Sequence, residues 1–237
     1  MTLLSAQGLS KQYSGLRAVN HVDFSLNAGE IRALIGPNGA GKSTLVGMLC
    51  GRIESTSGTV TFDGQDVTSL PAHKRIELGM AYTFQITSIF SKLTVMENVA
   101  LAVRRLPDST KALTRERVAR SLARVNLLDR ASTLAGDLSY GHQRLLEIAM
   151  GLGQEPRLFI LDEPTQGLAE SEIESFKALI KSMAGETTIL LIEHNMDVVM
   201  ETAECITVLN FGEILAEGTP TEIRANDVVQ AAYLGTD

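Results

Sequence analysis

Hydrophobic and polar positions change rhythm three times along this chain. Near the start, HVDFSL alternates and puts Val22, Phe24 and Leu26 on one face of a strand. Asn27-Ala28-Gly29 supplies a turn, and IRALIG follows as a short apolar strand ending on glycine. The spacing of GKSTLVGMLCG predicts a helix with Gly51 as its C-cap. GTVTFDGQDV reads as a hairpin arm turning at Asp63-Gly64, and Pro71 opens a short helix that Gly79 closes. From about residue 87 to 155 the strand signal vanishes. TVMENVALAVRRL, STKALTRERVARSLARVNLLD and YGHQRLLEIAMGLG all carry helical spacing. LFIL (158–161) and TTILLI (187–192) then restore β-like runs, with the helical SEIESFKALIKSMAG between them. That order predicts a parallel sheet covered by helices. ITVLNFGEILAEG reads as an antiparallel hairpin, and the C-terminal stretch as helical.

Composition narrows this α/β picture. The 237 residues are 44% hydrophobic, enough for one sizeable domain with a buried core. A net charge of -7 with acids and bases interspersed argues against broad nucleic-acid binding. Cys50 and Cys205 have no partner at metal-ligand spacing and read as two buried thiols in a reducing compartment. MTLLSAQGLSKQY has no basic region backed by an apolar run, so no secretory signal is expected. No apolar run approaches the ~20 residues of a membrane helix. The expectation is a cytoplasmic protein whose membrane work, if any, is done through a partner.

Chemistry enters at GPNGAGKS, Gly36 to Ser43, which matches G-x-x-x-x-G-K-[ST] between a strand and a helix. Gly39 and Gly41 let the loop curl so that successive N–H groups point inward, where they and the helix N-terminus attract phosphate oxygens. Lys42 reaches the β- and γ-phosphates and the Ser43 hydroxyl can bind Mg²⁺. Asn38, Ala40 and Thr44 complete the candidate contacts. LFILDEP places Asp162 and Glu163 at a strand end. Asp162 is placed to hold the Mg²⁺ shell, and Glu163 to orient or deprotonate an attacking water. Alone, the pair would read as two acids capping the next element. His194, at the end of TTILLI, falls at the same sheet edge and is a candidate sensor of the γ-phosphate. LSYGHQR (138–144) has the parts of a second phosphate site in Ser139, Gly141 and His142, yet no phosphate loop is near it in the chain.

The phosphate loop, LSYGHQR and LFILDEP, in that order and at these spacings, resemble the ATP-binding cassette subunits of ABC transporters over essentially the whole chain. The resemblance implies a P-loop NTPase (RecA-like) core with a mixed sheet, an N-terminal antiparallel β subdomain and a helical insert. Residues 1–86 and 156–237 would form the core, and 87–155 the signature-bearing subdomain. It implies that Ser139 and Gly141 bind the ATP held by a second cassette, two cassettes sandwiching two ATP molecules head to tail. Tyr13 falls where the family stacks an aromatic on adenine; a tyrosine in a sheet is the plainer alternative. Gln85 matches the glutamine that touches Mg²⁺, Glu163 the catalytic glutamate, and His194 the switch histidine.

The chain departs from the usual signature at Tyr140 and His142, and it has Ala169 where many cassettes carry an aspartate that contacts the opposite subunit. GLRAVNHVDFSL, LSYGHQRLLEIA, DEPTQGL, LIEHNMDVV and AAYLG are similar to cassettes of branched-chain amino acid importers and their urea and short-amide relatives. These imply membrane permease subunits, a solute-binding protein and a place on the inner face of the membrane. A sister group exports lipopolysaccharide and shares the EH-N/D-M pattern. A soluble non-transport cassette and a P-loop kinase are the other readings. The first usually carries fused cassettes or inserts that this chain lacks, and the second leaves LSYGHQR unexplained.

Overall fold

The structure, a computed structural model, describes residues 1–83, 88–106 and 110–234. Two long strands open it, β1 (Thr2–Tyr13) and β2 (Leu16–Asn27), followed by β3 (Ile31–Ile35) and α1 (Lys42–Leu49). β4 (Ser57–Phe62) and β5 (Gln65–Asp66) form the predicted hairpin, with Asp63 and Gly64 both at positive φ as a two-residue turn of this kind demands. α2 (Ala72–Glu77) and β6 (Met80–Tyr82) follow. Then come the helices α3 (Val95–Val103), α4 (Lys111–Arg124) and α5 (Tyr140–Leu152). β7 (Leu158–Asp162), α6 (Glu170–Ser182), β8 (Thr188–Ile192) and α7 (Met196–Thr202) alternate, and β9 (Cys205–Asn210) and β10 (Glu213–Gly218) make the last hairpin. α8 (Pro220–Arg224), α9 (Asp227–Val229) and one π-helical turn end the described chain.

Among the described residues the strands form two sheets. One is antiparallel, in the order β2-β1-β4-β5; the other runs β10-β9-β3-β8-β7-β6 and is parallel except for β10. β3, β7 and β8 are buried at every residue, which is why they read as unbroken apolar runs. Period-2 alternation divides β7 and β8 between two cores, while Ala33 and Ile35 of β3 join a third with α7, α8 and β9. Leu158, Ile160, Leu190 and Ile192 face the antiparallel sheet and α1, whereas Phe159, Leu161, Ile189 and Leu191 face α3 to α6. Gly151 of α5 lies directly against the Phe159 ring, so that helix rides close on β7. Cys50 is buried as expected; Cys205, at the start of β9, is only half-buried because it lies at the strand's end.

This topology fixes the site. β3, β7 and β8 run parallel with Leu34 and Asp162 both opposite Ile192. Their carboxyl ends therefore share one edge of the sheet, where ligands of open α/β sheets bind.

Candidate nucleotide site

The loop after β3 is forced into shape by two close approaches. A side chain on Gly36 would strike the Leu209 carbonyl, and one on Gly41 the Ala18 carbonyl; both glycines sit at positive φ. Gly41 is the N-cap of α1 and gives it no side-chain cap, so the helix's first amides remain for a ligand. Lys42 is buried and folds back, its Nζ donating to the carbonyls of Gly36 at 2.6 Å and Pro37 at 3.1 Å. Burial lowers its pKa, while the carboxylates of Glu163 and Asp162 pull the other way. A cation so desolvated gains from an anion arriving beside it. Asn38, Gly39 and Ser43 are exposed at the loop, Thr44 is half-buried and Ala40 is buried.

A cleft of about 570 Å³ opens over this loop. Its lining joins Asn38 through Thr44 to Tyr13, Glu163 and His194, residues brought together from four distant parts of the chain. Tyr13, exposed, ends β1 at the rim with Lys11 Nζ 5.2 Å from its ring centroid. Phe211, Leu16 and Arg17 also line the cleft. Nothing in their local sequence pattern marked them.

At the end of β7, Asp162 is buried, and burial, with Glu163 next to it, raises its pKa against the contacts of Tyr82, Arg52 and Arg144. Tyr82 donates to Asp162 Oδ2 at 2.5 Å, and burial together with that bond pushes the phenol's pKa up. Glu163 adopts φ 47, a left-handed conformation costing roughly 1–2 kcal/mol for a non-glycine residue. Such strain persists where the surroundings over-determine it. Here the Glu163 N–H is bonded to Ile192 O at 2.8 Å and its Oε1 lies 2.9 Å from His194 Nε2.

Sequence reading passed over Glu193. Its buried carboxylate accepts from the backbone N–H groups of Thr165 (3.0 Å), His194 (2.8 Å) and Asn195 (3.0 Å), and from the Thr165 hydroxyl. It ties the loop after β7 to the loop after β8 and thereby sets Glu163 against His194. The only signal in the sequence was an acid next to the candidate histidine; its burial shows only in the structure.

LSYGHQR lies elsewhere. Ser139 caps α5, its Oγ accepting from His142 N at 3.3 Å and lying 2.8 Å from His142 Nδ1. The Glu172 carboxylate sits against Gly141, and Tyr140 packs over Gly167. Ala169 caps α6, and its N–H donates to Glu172 Oε2 at 2.9 Å. None of Ser139, Gly141 and His142 lines the cleft over the phosphate loop. Gln85 lies outside the described residues.

Ser43 and Asp162 offer a hydroxyl and a carboxylate oxygen, the hard donors Mg²⁺ takes when phosphates complete its shell. The buried Asp162 and the half-buried Glu163 beside it put two carboxyl groups at one strand end, which suits a cation, so the residues fit the ion.

Known proteins match throughout. The profile described as ABC transporter covers residues 19–166, and that of the branched-chain amino acid ATP-binding cassette transporter covers residues 213–237. BraF of Pseudomonas aeruginosa, a high-affinity branched-chain amino acid transport ATP-binding protein, is 40% identical over 98% of each chain. LptB of Escherichia coli, a lipopolysaccharide export system ATP-binding protein, is 35% identical over 100% of this chain and 99% of its own. The ADP conformation of MJ1267, an ATP-binding cassette of an ABC transporter, superposes with a TM-score of 0.87 at 27% identity over 99% of both chains. By its match to that profile over more than half its length and by its identity to these transport ATP-binding proteins over nearly the whole chain, this chain belongs to the ABC transporter family as an ATP-binding, ATP-hydrolysing subunit.

Proposed function

We propose that this chain energises uptake of branched-chain amino acids, or of related small solutes such as urea or short amides, through partner permease subunits. The observation that carries the choice is the C-terminal match at residues 213–237 to branched-chain amino acid cassettes. The 40% identity to BraF, against 35% to LptB, supports it. No helix among the described residues is long and apolar enough to cross a membrane, so transport is assigned to partners. The chain would act as a peripheral subunit on the inner membrane face, supplied by a solute-binding protein.

In this reading residues 1–86 and 156–237 form the nucleotide-binding core and 87–155 the subdomain that carries the signature. The loop amides and Lys42 bind the ATP phosphates, and Tyr13 meets the adenine. Ser43, Asp162 and Gln85 would hold Mg²⁺, which when bound neutralises phosphate charge. Glu163 accepts the proton of the attacking water, held for that task by His194. Ser139, Gly141 and His142 close the ATP site of a second cassette. Hydrolysis removes the phosphate that joins the two surfaces.

Uptake of labelled leucine, urea and acetamide in cells lacking this gene tests the assignment. Loss of uptake of one of them, restored by the wild-type gene but not by Glu163→Gln, is expected. Intact uptake with failure of lipopolysaccharide to reach the cell surface would replace import by export.

A further inference from the structure

β6 and β7 run parallel, with Tyr82 opposite Ile160. Side chains two residues apart on a strand share a face, so Asp162 lies on the face of Tyr82, about 6.6 Å farther along at 3.3 Å per residue. A tyrosine spans that gap; a serine or threonine does not. The Tyr82 hydroxyl crosses it and donates to Asp162 Oδ2 at 2.5 Å. Thr83, the residue after β6, grips β7 again: its N–H donates to Ile160 O at 3.0 Å and its Oγ1 accepts the Asp162 N–H at 3.2 Å. Behind the phenol, the Arg52 guanidinium sits 4.8 Å from the ring centroid. The ring is thus held by Arg52 over its face and by Asp162 at its hydroxyl.

We propose that Tyr82 is a positioning residue for the cation-binding carboxylate, engaging Oδ2 of Asp162 so that Oδ1 is left for the Mg²⁺ that accompanies ATP. This rests on the reading of Asp162 as a Mg²⁺-holding residue. An aspartate turns about a broad terminal torsion, and one firm hydrogen bond selects a single orientation. The chemical type of the donor matters as much as its reach. Lysine or arginine at position 82 would also fix the carboxylate, but would set a positive charge beside the incoming cation. A phenol orients without that charge. Hydrogen-bond partners behind a metal ligand commonly govern affinity by about 10–100-fold. The low end applies here, because phosphates and water supply most of the shell.

The test is a Mg²⁺ titration of fluorescent ATP-analogue binding by the whole chain, read without turnover, for wild type, Tyr82→Phe and Asp162→Asn. Phenylalanine keeps the ring against Arg52 but removes the donor to a buried carboxylate, so the thermal midpoint of Tyr82→Phe should fall by a few degrees while the protein stays folded at the assay temperature. Its half-saturating Mg²⁺ should rise about tenfold, equivalent to about 1.4 kcal/mol. Its analogue affinity in EDTA should be unchanged. Half-saturation equal to or below the wild-type value overturns the proposal, as does equal weakening with and without Mg²⁺. If Asp162→Asn keeps the wild-type Mg²⁺ response, the assignment of Asp162 itself fails, a result distinct from any outcome at Tyr82.

Discussion

At the scale of single residues, the site is built by burying charge beside charge. Lys42 is desolvated and turned onto its own loop carbonyls, waiting for an anion. Lys42→Ala should weaken ATP binding by about 1.5–3 kcal/mol, roughly ten- to more than a hundredfold, as for a lost bond to a charged group. Unchanged affinity by calorimetry would remove Lys42 from the phosphate site. Asp162 costs stability in the ligand-free fold, because its folded pKa is raised above the unfolded one. The folded state binds the extra proton, so stability falls as pH rises from the unfolded value of about 4 through the folded pKa. Asparagine still accepts from Tyr82 and carries no charge to desolvate. Asp162→Asn in EDTA should melt higher than the wild type at pH 7, and the gain should vanish below about pH 4. A lower midpoint at pH 7 would contradict the desolvation account.

At the scale of elements, the positions of α5 and the strand ends decide what the residues can do. Gly151 lets α5 approach Phe159 on β7. Alanine there would gain about 1 kcal/mol of helix propensity, yet its methyl would overlap the ring, and overpacking costs about 1–3 kcal/mol. The overlap should win and lower the melting midpoint by a few degrees; a raised midpoint would show that α5 can slide. The apolar runs LFIL and TTILLI made β7 and β8 legible, and G-x-x-x-x-G-K-S made the loop legible, because both signals are local. Tyr82 was not, since its partner is 80 residues away and only the pairing of β6 with β7 brings them together. Glu193 escaped for a similar reason: its role is to bridge two loops, and nothing in the periodicity of β8 marks a buried acid at its end. The half-buried Cys205 shows the converse limit, an apolar-looking position that strand ends leave partly open.

At the scale of the whole molecule, the cleft over the Gly36–Ser43 loop and the Ser139 element do not meet within one chain, although each presents groups of the kind that can bind phosphate. That separation gives the account its central claim, that Ser139 and Gly141 complete the site of another cassette. Ala169, engaged with Glu172 of its own helix, offers no side-chain hydrogen bond to that neighbour. Glu163→Gln should retain ATP and slow hydrolysis by about 10²–10⁴-fold, the usual worth of a general base. The direct measurement is the solution mass, by light scattering, of Glu163→Gln with and without ATP and Mg²⁺, beside the same protein carrying Ser139→Ala. The account predicts a doubling of mass with ATP in the first, and an ATP-loaded monomer in the second. Loss of ATP binding by the Ser139→Ala monomer, or a dimer indifferent to that substitution, would contradict it.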